Sequence, residues 1–449
     1  MFIPHTDAER QEMLEKITKP SIESLFADVP EKYRFPKLNL PEPLSEMEAL
    51  SQIQELAEAN ASTEEMPCFL GAGAYDHYIP AVVDSIISRG DFFTAYTPYQ
   101  PEISQGTLQA IFEFQTLIAS LTGMDAANAS HYDGATATAE ACISAYHHFK
   151  GKRQQFLFSY AVNPQYREVT GTYCAYLPGF ALEVVGERQI NYPPSELVKR
   201  VDEHTAAVVI QYPDFFGNIF ELKEIAETVH AAGSLLIVVT NPTSLGLLKP
   251  PGQMGADFVV GEGQPLGLPL SFGGPYLGFF AVKQEFIRRM SGRLVGETID
   301  HEGRKGYVLT LTAREQHIRR EKATSNICSN QGLMALAATV YLSALGKNGL
   351  RSVSELCYQK AHYAAEKIAS IHGYKVINNQ PFFHEFVVSC PKSAREINAH
   401  LLEHEILGGY DLGELSADLD RHMLIAVTEK IRKEEIDDLC TALEEFSHD

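Results

Sequence analysis

The chain has 449 residues, 45% hydrophobic and 21% charged, with a formal net charge of −21. That length suggests two or three domains with sizeable cores. The charge argues against nucleic acid or an anionic membrane as the main partner.

The opening, MFIPHTDAERQEMLEKI, lacks the basic and then apolar layout of a signal peptide and is too acidic for a mitochondrial presequence. Thr6 with Glu9, and Ser45 with Glu48, read as capping boxes that open two helical segments. The proline-spaced run from Pro30 to Pro43 between them reads as an extended linker, so residues 1–67 form a helical arm. From 68 to 331, short apolar runs at 206–212, 235–241, 257–260 and 278–282 lack clean alternation, the pattern of strands buried on both faces of a parallel sheet. An amphipathic helix at 221–232 joins the first two as a βαβ unit, and alanine-rich 136–149 is a further helix. Residues 332–449 follow with a helix (Met334–Leu345), strands at 382–389 and 423–427, a helix capped by Ser393 and Glu396, and a last helix at 433–446, a small α+β domain. No apolar run reaches membrane-spanning length.

Several familiar motifs are absent or broken. Gly71-Ala72-Gly73 is only a fragment of GxGxxG, and there is neither a Walker A loop nor a GxSxG elbow. His147 and His148 are adjacent and face different sides of a helix, so they are poor joint metal ligands. Seven cysteines form no CxxC pair, so no zinc ribbon or disulfide framework is expected and a reducing, cytoplasmic compartment fits.

Four segments hold candidate chemistry. Asn128–Glu140 (NASHYDGATATAE) is a strand-to-helix turn where Gly134, Thr136 and the helix N-terminus suit an anion; His131 could stack on a ring or be a core residue. Phe92–Gly106 places Tyr96 and Tyr99 among prolines on a stiff loop, offering phenols for hydrogen bonding or for packing at a core edge. Leu311–Gly332 begins with Arg314, His317, Arg319, Arg320 and Lys322, then changes to Thr324, Ser325, Asn326, Ser329, Asn330 and Gln331. Such a run suits a phosphate, a salt-bridged subunit interface or a solvated basic face. Gly261–Gly274 is a glycine-rich turn between apolar runs with no lysine in it; its glycines could serve a tight turn or close packing of strands.

Taken together, FLGAGAYDHYIP (69–80), AYTPYQPE (95–102), ATSNIC (323–328) and the 250–282 turn resemble the glycine decarboxylase (P-protein) family of the glycine cleavage system, in the form of its N-terminal half or α subunit. The resemblance spans the whole chain. It implies a pyridoxal-phosphate (PLP) type I fold: a large α/β domain, mainly a parallel sheet with helices on both faces, a small C-terminal α+β domain and an N-terminal arm. It also implies an oxidoreductase of glycine catabolism, active with a PLP-bearing β subunit, which decarboxylates glycine and passes the aminomethyl group to the lipoyl arm of H-protein. Functional association with T- and L-proteins would follow.

In a cofactor-bearing relative a lysine would stand in the turn. Here Gln264 holds that slot, and an amide nitrogen cannot form the imine. The strand expected to supply an aspartate to the pyridinium offers Val239, Thr240 and Asn241. The resemblance therefore implies that PLP comes from the partner. Tyr96 and Tyr99 would reach the partner's substrate pocket, Thr324, Ser325 and Asn326 its phosphate, and Gly134 with Thr136 would be a vestigial anion pocket. Two alternatives remain: a scaffold that stabilises the β subunit, or a self-sufficient enzyme using Lys249 or Lys305.

Overall fold

The computed structural model describes residues 5–323, 325, 327 and 329–448, in two compact units that divide between Ala61 and Ser62. In the first unit both capping boxes form. Thr6 Oγ1 accepts the Glu9 N–H at 3.3 Å while the Glu9 carboxylate accepts the Thr6 N–H at 2.6 Å, opening the helix Asp7–Lys16. Ser45 and Glu48 do the same for Glu46–Glu58. That second helix buries none of its residues, leaving Met47, Leu50, Ile53 and Leu56 exposed. The proline-spaced linker contains one short turn of 3₁₀ helix, Glu31–Tyr33.

The second unit is built on a seven-stranded sheet. Its order is Ala126–Ala127, Gly278–Val282, Phe258–Glu262, Leu235–Thr240, Thr205–Tyr212, Gln155–Ser159, Ala181–Val185. The five strands from Phe258–Glu262 onward pair in parallel, whereas Gly278–Val282 is antiparallel to both neighbours. The unbroken apolar runs have a direct cause. Val208, Ile210, Leu236 and Val238 pack into one core, and their alternates Ala207, Val209, Ile237 and Val239 into another. Both faces are covered, so neither tolerates a polar residue, and each fully buried aliphatic side chain contributes about 1.5–3 kcal/mol relative to exposure.

The helix Gly134–His148 covers one face, its alanines allowing close approach; Gln105–Thr122 and the first half of Gly332–Ala369 cover the other. The last of these helices runs beyond the expected end at Leu345, interrupted by Gly346 at φ 58°, ψ −173°. Its second half lies on a four-stranded antiparallel sheet, Lys375–Val376, Glu385–Ser389, His422–Ala426 and Tyr410–Asp411, also covered by Ala394–Glu403 and Lys433–His448. The expected strand at 382–389 starts only at Glu385. Among the described residues no helix is long and apolar enough to cross a membrane.

Candidate functional site

The central strand Phe258–Glu262 delivers Glu262, Gly263 and Gln264 to one end of the parallel sheet. Gln264 is 1% exposed and fully engaged. Its Nε2 donates to the carbonyls of Tyr75 (2.9 Å) and Leu268 (2.8 Å), and its Oε1 accepts the Tyr75 N–H at 2.8 Å. Both amide ends thus serve backbone, and the side chain fastens the 69–80 segment over the turn. Tyr75 itself is buried; its hydroxyl donates to Glu385 Oε2 at 2.6 Å, and the other oxygen of Glu385 accepts the Ala72 N–H at 2.8 Å. Burial pushes the Glu385 carboxyl up to about 7, against those two hydrogen bonds. A Cβ at Gly71 would meet Glu385 Oε1 at 2.4 Å, which is why the segment needs glycine there.

The neighbouring helix N-terminus is also occupied from within the chain. The Gly134 N–H donates to Glu262 Oε2 at 3.0 Å, while Glu262 Oε1 accepts the N–H groups of Leu277 (2.9 Å) and Gln264 (3.0 Å). Asp133 caps the helix by accepting the Thr136 N–H at 2.7 Å, and the Thr136 hydroxyl accepts the Asp133 N–H at 3.2 Å. Burial raises the Glu262 carboxyl to about 8, with the three N–H donors working in the opposite direction. The donors that sequence reasoning offered to an anion at Gly134 and Thr136 therefore already meet the chain's own carboxylates. A Cβ at Gly134 would meet Tyr166 Oη at 2.3 Å, so little room remains beside them. His131 is wholly buried, with Nε2 3.1 Å from Asn128 Nδ2 and 3.0 Å from Ser291 Oγ, and its ring edge-on to Phe280; burial holds it down at about 3. It is a neutral core residue.

At the end of the adjacent strand, Thr240 donates to the Tyr212 carbonyl at 2.6 Å, and Asn241 Oδ1 accepts the Thr243 N–H at 3.0 Å. Neither supplies a charge. Lys249 is exposed, and Lys305 lies at the exposed tip of a hairpin, Leu294–Ile299 with Lys305–Thr310, 2.6 Å from Glu297. Neither stands in the buried turn.

The two loops meet at Arg293, a residue the sequence did not flag. Its Nη2 donates to Tyr99 Oη at 2.9 Å, its Nη1 to Ser329 Oγ at 3.4 Å, and its Nε lies 3.5 Å from Glu315. Tyr99 is 50% exposed and Tyr96 78% exposed, and Tyr96 lines a cavity of about 180 Å³ with Pro98, Ser329, Asn330 and Leu333. Ser325 donates to Glu140 Oε1 at 2.8 Å from the helix Gly134–His148. Burial raises Glu140 to about 7, opposed by hydrogen bonds from Ser325 and Ser291. Thr324 and Asn326 lie outside the described residues. Arg314, Arg319 and Lys322 line a cleft of about 320 Å³ with Arg288, Arg289 and His147, and Arg314 also donates to the Met290 and Gly292 carbonyls. Three members of the basic run thus line one cleft, while His317 lies edge-on to Tyr99.

Glu262, Tyr75 and Glu385 were missed in the sequence. Each is a single residue partnered across a long separation, and the only signal was the FLGAGAYDHYIP segment in which Tyr75 stands.

A Lactobacillus brevis glutamate decarboxylase structure matches with a TM-score of 0.68 at 13% identity, covering 95% of this chain and 98% of that one. Such distant likenesses show the fold alone, that of PLP-dependent type I enzymes. A crystal structure of glycine decarboxylase (P-protein) of the glycine cleavage system, in inhibitor-bound form, matches with a TM-score of 0.92 at 43% identity over 99% of both chains. The probable glycine dehydrogenase (decarboxylating) subunit 1 of Thermomicrobium roseum is 53% identical over 445 residues, 99% of each chain. The family model for the glycine cleavage system P-protein matches residues 1–443, and the chain belongs to that family.

Proposed function

We propose that this chain is the subunit of a heteromeric, cytoplasmic glycine decarboxylase that holds no pyridoxal phosphate and completes a site on its β-subunit partner. The chain works as a glycine decarboxylase subunit. In the assembly glycine loses CO2, and the aminomethyl group passes to the lipoyl arm of H-protein, which is reduced; T- and L-proteins act with it in glycine catabolism. When bound, PLP supplies the electron sink for loss of CO2.

The observation that carries this reading is the Gln264 turn. The residues there do not fit a covalently held PLP. The amide is no nucleophile and is tied to Tyr75 and Leu268, Glu262 fills the donors a phosphate would use, and no carboxylate stands at 239–241 to pair with a pyridinium. Glu262 already takes the N–H groups that a phosphate at this helix N-terminus would need, so the two would compete for the same donors.

What this chain contributes is on its loops. Tyr96 and Tyr99 present phenols, with Tyr99 oriented by the buried Arg293, and they form a wall of the partner's substrate pocket. The segment of Thr324, Ser325 and Asn326 serves the partner's cofactor phosphate in this reading, with Ser325 held by its hydrogen bond to Glu140. Substituting both tyrosines, Tyr96→Phe and Tyr99→Phe, in the reconstituted pair tests the assignment. Glycine–CO2 exchange falls by about tenfold or more with the complex intact, the scale of losing a positioned donor. Unchanged exchange in an intact complex assigns the chain to scaffolding instead.

A further inference from the structure

Beyond the strap that Gln264 fastens, three side chains with different ligand atoms converge from three parts of the second unit. His77 comes from the 69–80 segment, Cys357 from the helix Gly332–Ala369, and Glu429 from the residues just after the strand His422–Ala426. Their ligand atoms all lie within 4.8 Å of one another. His77 Nδ1 is 2.6 Å from Glu429 Oε2, and the Cys357 thiol donates to the same oxygen at 3.2 Å. His77 is 4% exposed and Cys357 fully buried, so none of this is surface clutter.

We propose that His77, Cys357 and Glu429 form a zinc site. One imidazole nitrogen, one thiolate and one carboxylate oxygen are each zinc ligands, and the thiolate selects against magnesium and calcium. With bonds of about 2.0–2.3 Å, atoms around zinc stand about 3–4 Å apart, so the cluster needs only small side-chain rotations to close on an ion. The fourth position goes to water. The surrounding shell already fixes the ligands. Glu429 Oε1 accepts the Tyr78 N–H at 2.7 Å, and the Lys360 ammonium donates to the Glu429 and Ile431 carbonyls at 2.5 Å each.

Zn2+ takes the place of the protons that lie between these atoms. The Cys357 thiol proton is released, and the proton between His77 Nδ1 and Glu429 Oε2 leaves or moves to Nε2. No oxidant or reductant is involved. Structurally, the ion would clamp the segment that bears Tyr75, two residues from His77, to the long helix and the end of the small sheet. The zinc site would therefore hold in place the strap that Gln264 fastens.

The second group of ligand-type residues, His400, His404 and Glu445, is more exposed, and His400 Nε2 is 3.1 Å from the Ala442 carbonyl, so it serves as the control. The test uses the full chain, stripped with a chelator, loaded with Zn2+, desalted and assayed for metal by mass spectrometry. The expected result is one zinc retained per chain, binding weakened at least about tenfold in Cys357→Ser and unchanged in His404→Ala. Loading the unsubstituted chain with Co2+ gives thiolate-to-cobalt absorption, which decides the matter even if Cys357→Ser does not fold. No retained zinc, zinc kept by a folded Cys357→Ser chain, zinc lost in His404→Ala, or cobalt binding without thiolate absorption would each overturn the proposal.

Discussion

The Gln264 amide joins two distant pieces of chain, its oxygen on the Tyr75 N–H and its nitrogen on the Tyr75 and Leu268 carbonyls. Gln264→Leu leaves those three backbone groups buried without a partner. At about 1–3 kcal/mol for an unsatisfied group, partly relaxed, the loss of stability is about 2–4 kcal/mol by urea unfolding. A fall below about 0.5 kcal/mol would show that the strap does not depend on the amide. Restoring the lysine does not restore a cofactor site. Gln264→Lys keeps a donor for the Tyr75 and Leu268 carbonyls but loses the acceptor of the Tyr75 N–H, and Glu262 still holds the donors a phosphate would need, so borohydride reduction with PLP yields no pyridoxyl-lysine at 264. Glu140 carries a pH signature. Its carboxyl is raised from 4.5 to about 7 in the folded chain by burial, so the folded state holds its proton where the unfolded state has lost it. Its stabilising share is complete below about 4.5 and is lost as pH rises through about 7. Glu140→Gln accordingly flattens the decline of unfolding free energy across that window, and an unchanged slope would rule Glu140 out as its source.

At the scale of elements, the strands of the large sheet were legible because burial on both faces leaves an unbroken apolar run. The capping boxes at Thr6 and Ser45 were legible because the cap is local. The long helix is legible only to Leu345; in the fold the chain bends at Gly346, φ 58°, and resumes helix to Ala369. That conformation is open almost only to glycine, so Gly346→Ala costs about 1–3 kcal/mol in urea unfolding although a Cβ there meets no neighbour. A neutral result would mean the bend can relax. The turn at Gln264 was legible as a missing lysine, but what fills it was not. Glu262 and Glu385 act through partners more than a hundred residues away, and no local pattern announces such pairings. Arg293 escaped notice for the same reason, being one arginine whose meaning comes only from Tyr99 and Ser329 beside it.

Across the whole molecule, a cofactor-type fold has a buried turn closed by its own residues and a loop that leaves Tyr96 and Tyr99 exposed. The arm helix Glu46–Glu58 adds a row of exposed Met47, Leu50, Ile53 and Leu56, more apolar surface than a surface helix ordinarily leaves uncovered. Both features suit a chain that works in an assembly. The proposed role of this chain is to lend a wall to a cofactor site it does not itself contain. The most direct measurement reduces the purified chain, its β-subunit partner and the mixture with borohydride in the presence of PLP, maps pyridoxyl-lysine, and assays glycine–CO2 exchange in each. The account predicts pyridoxyl-lysine on the partner alone and exchange only in the mixture. A pyridoxyl-lysine mapped to this chain, or exchange by this chain on its own, would contradict it.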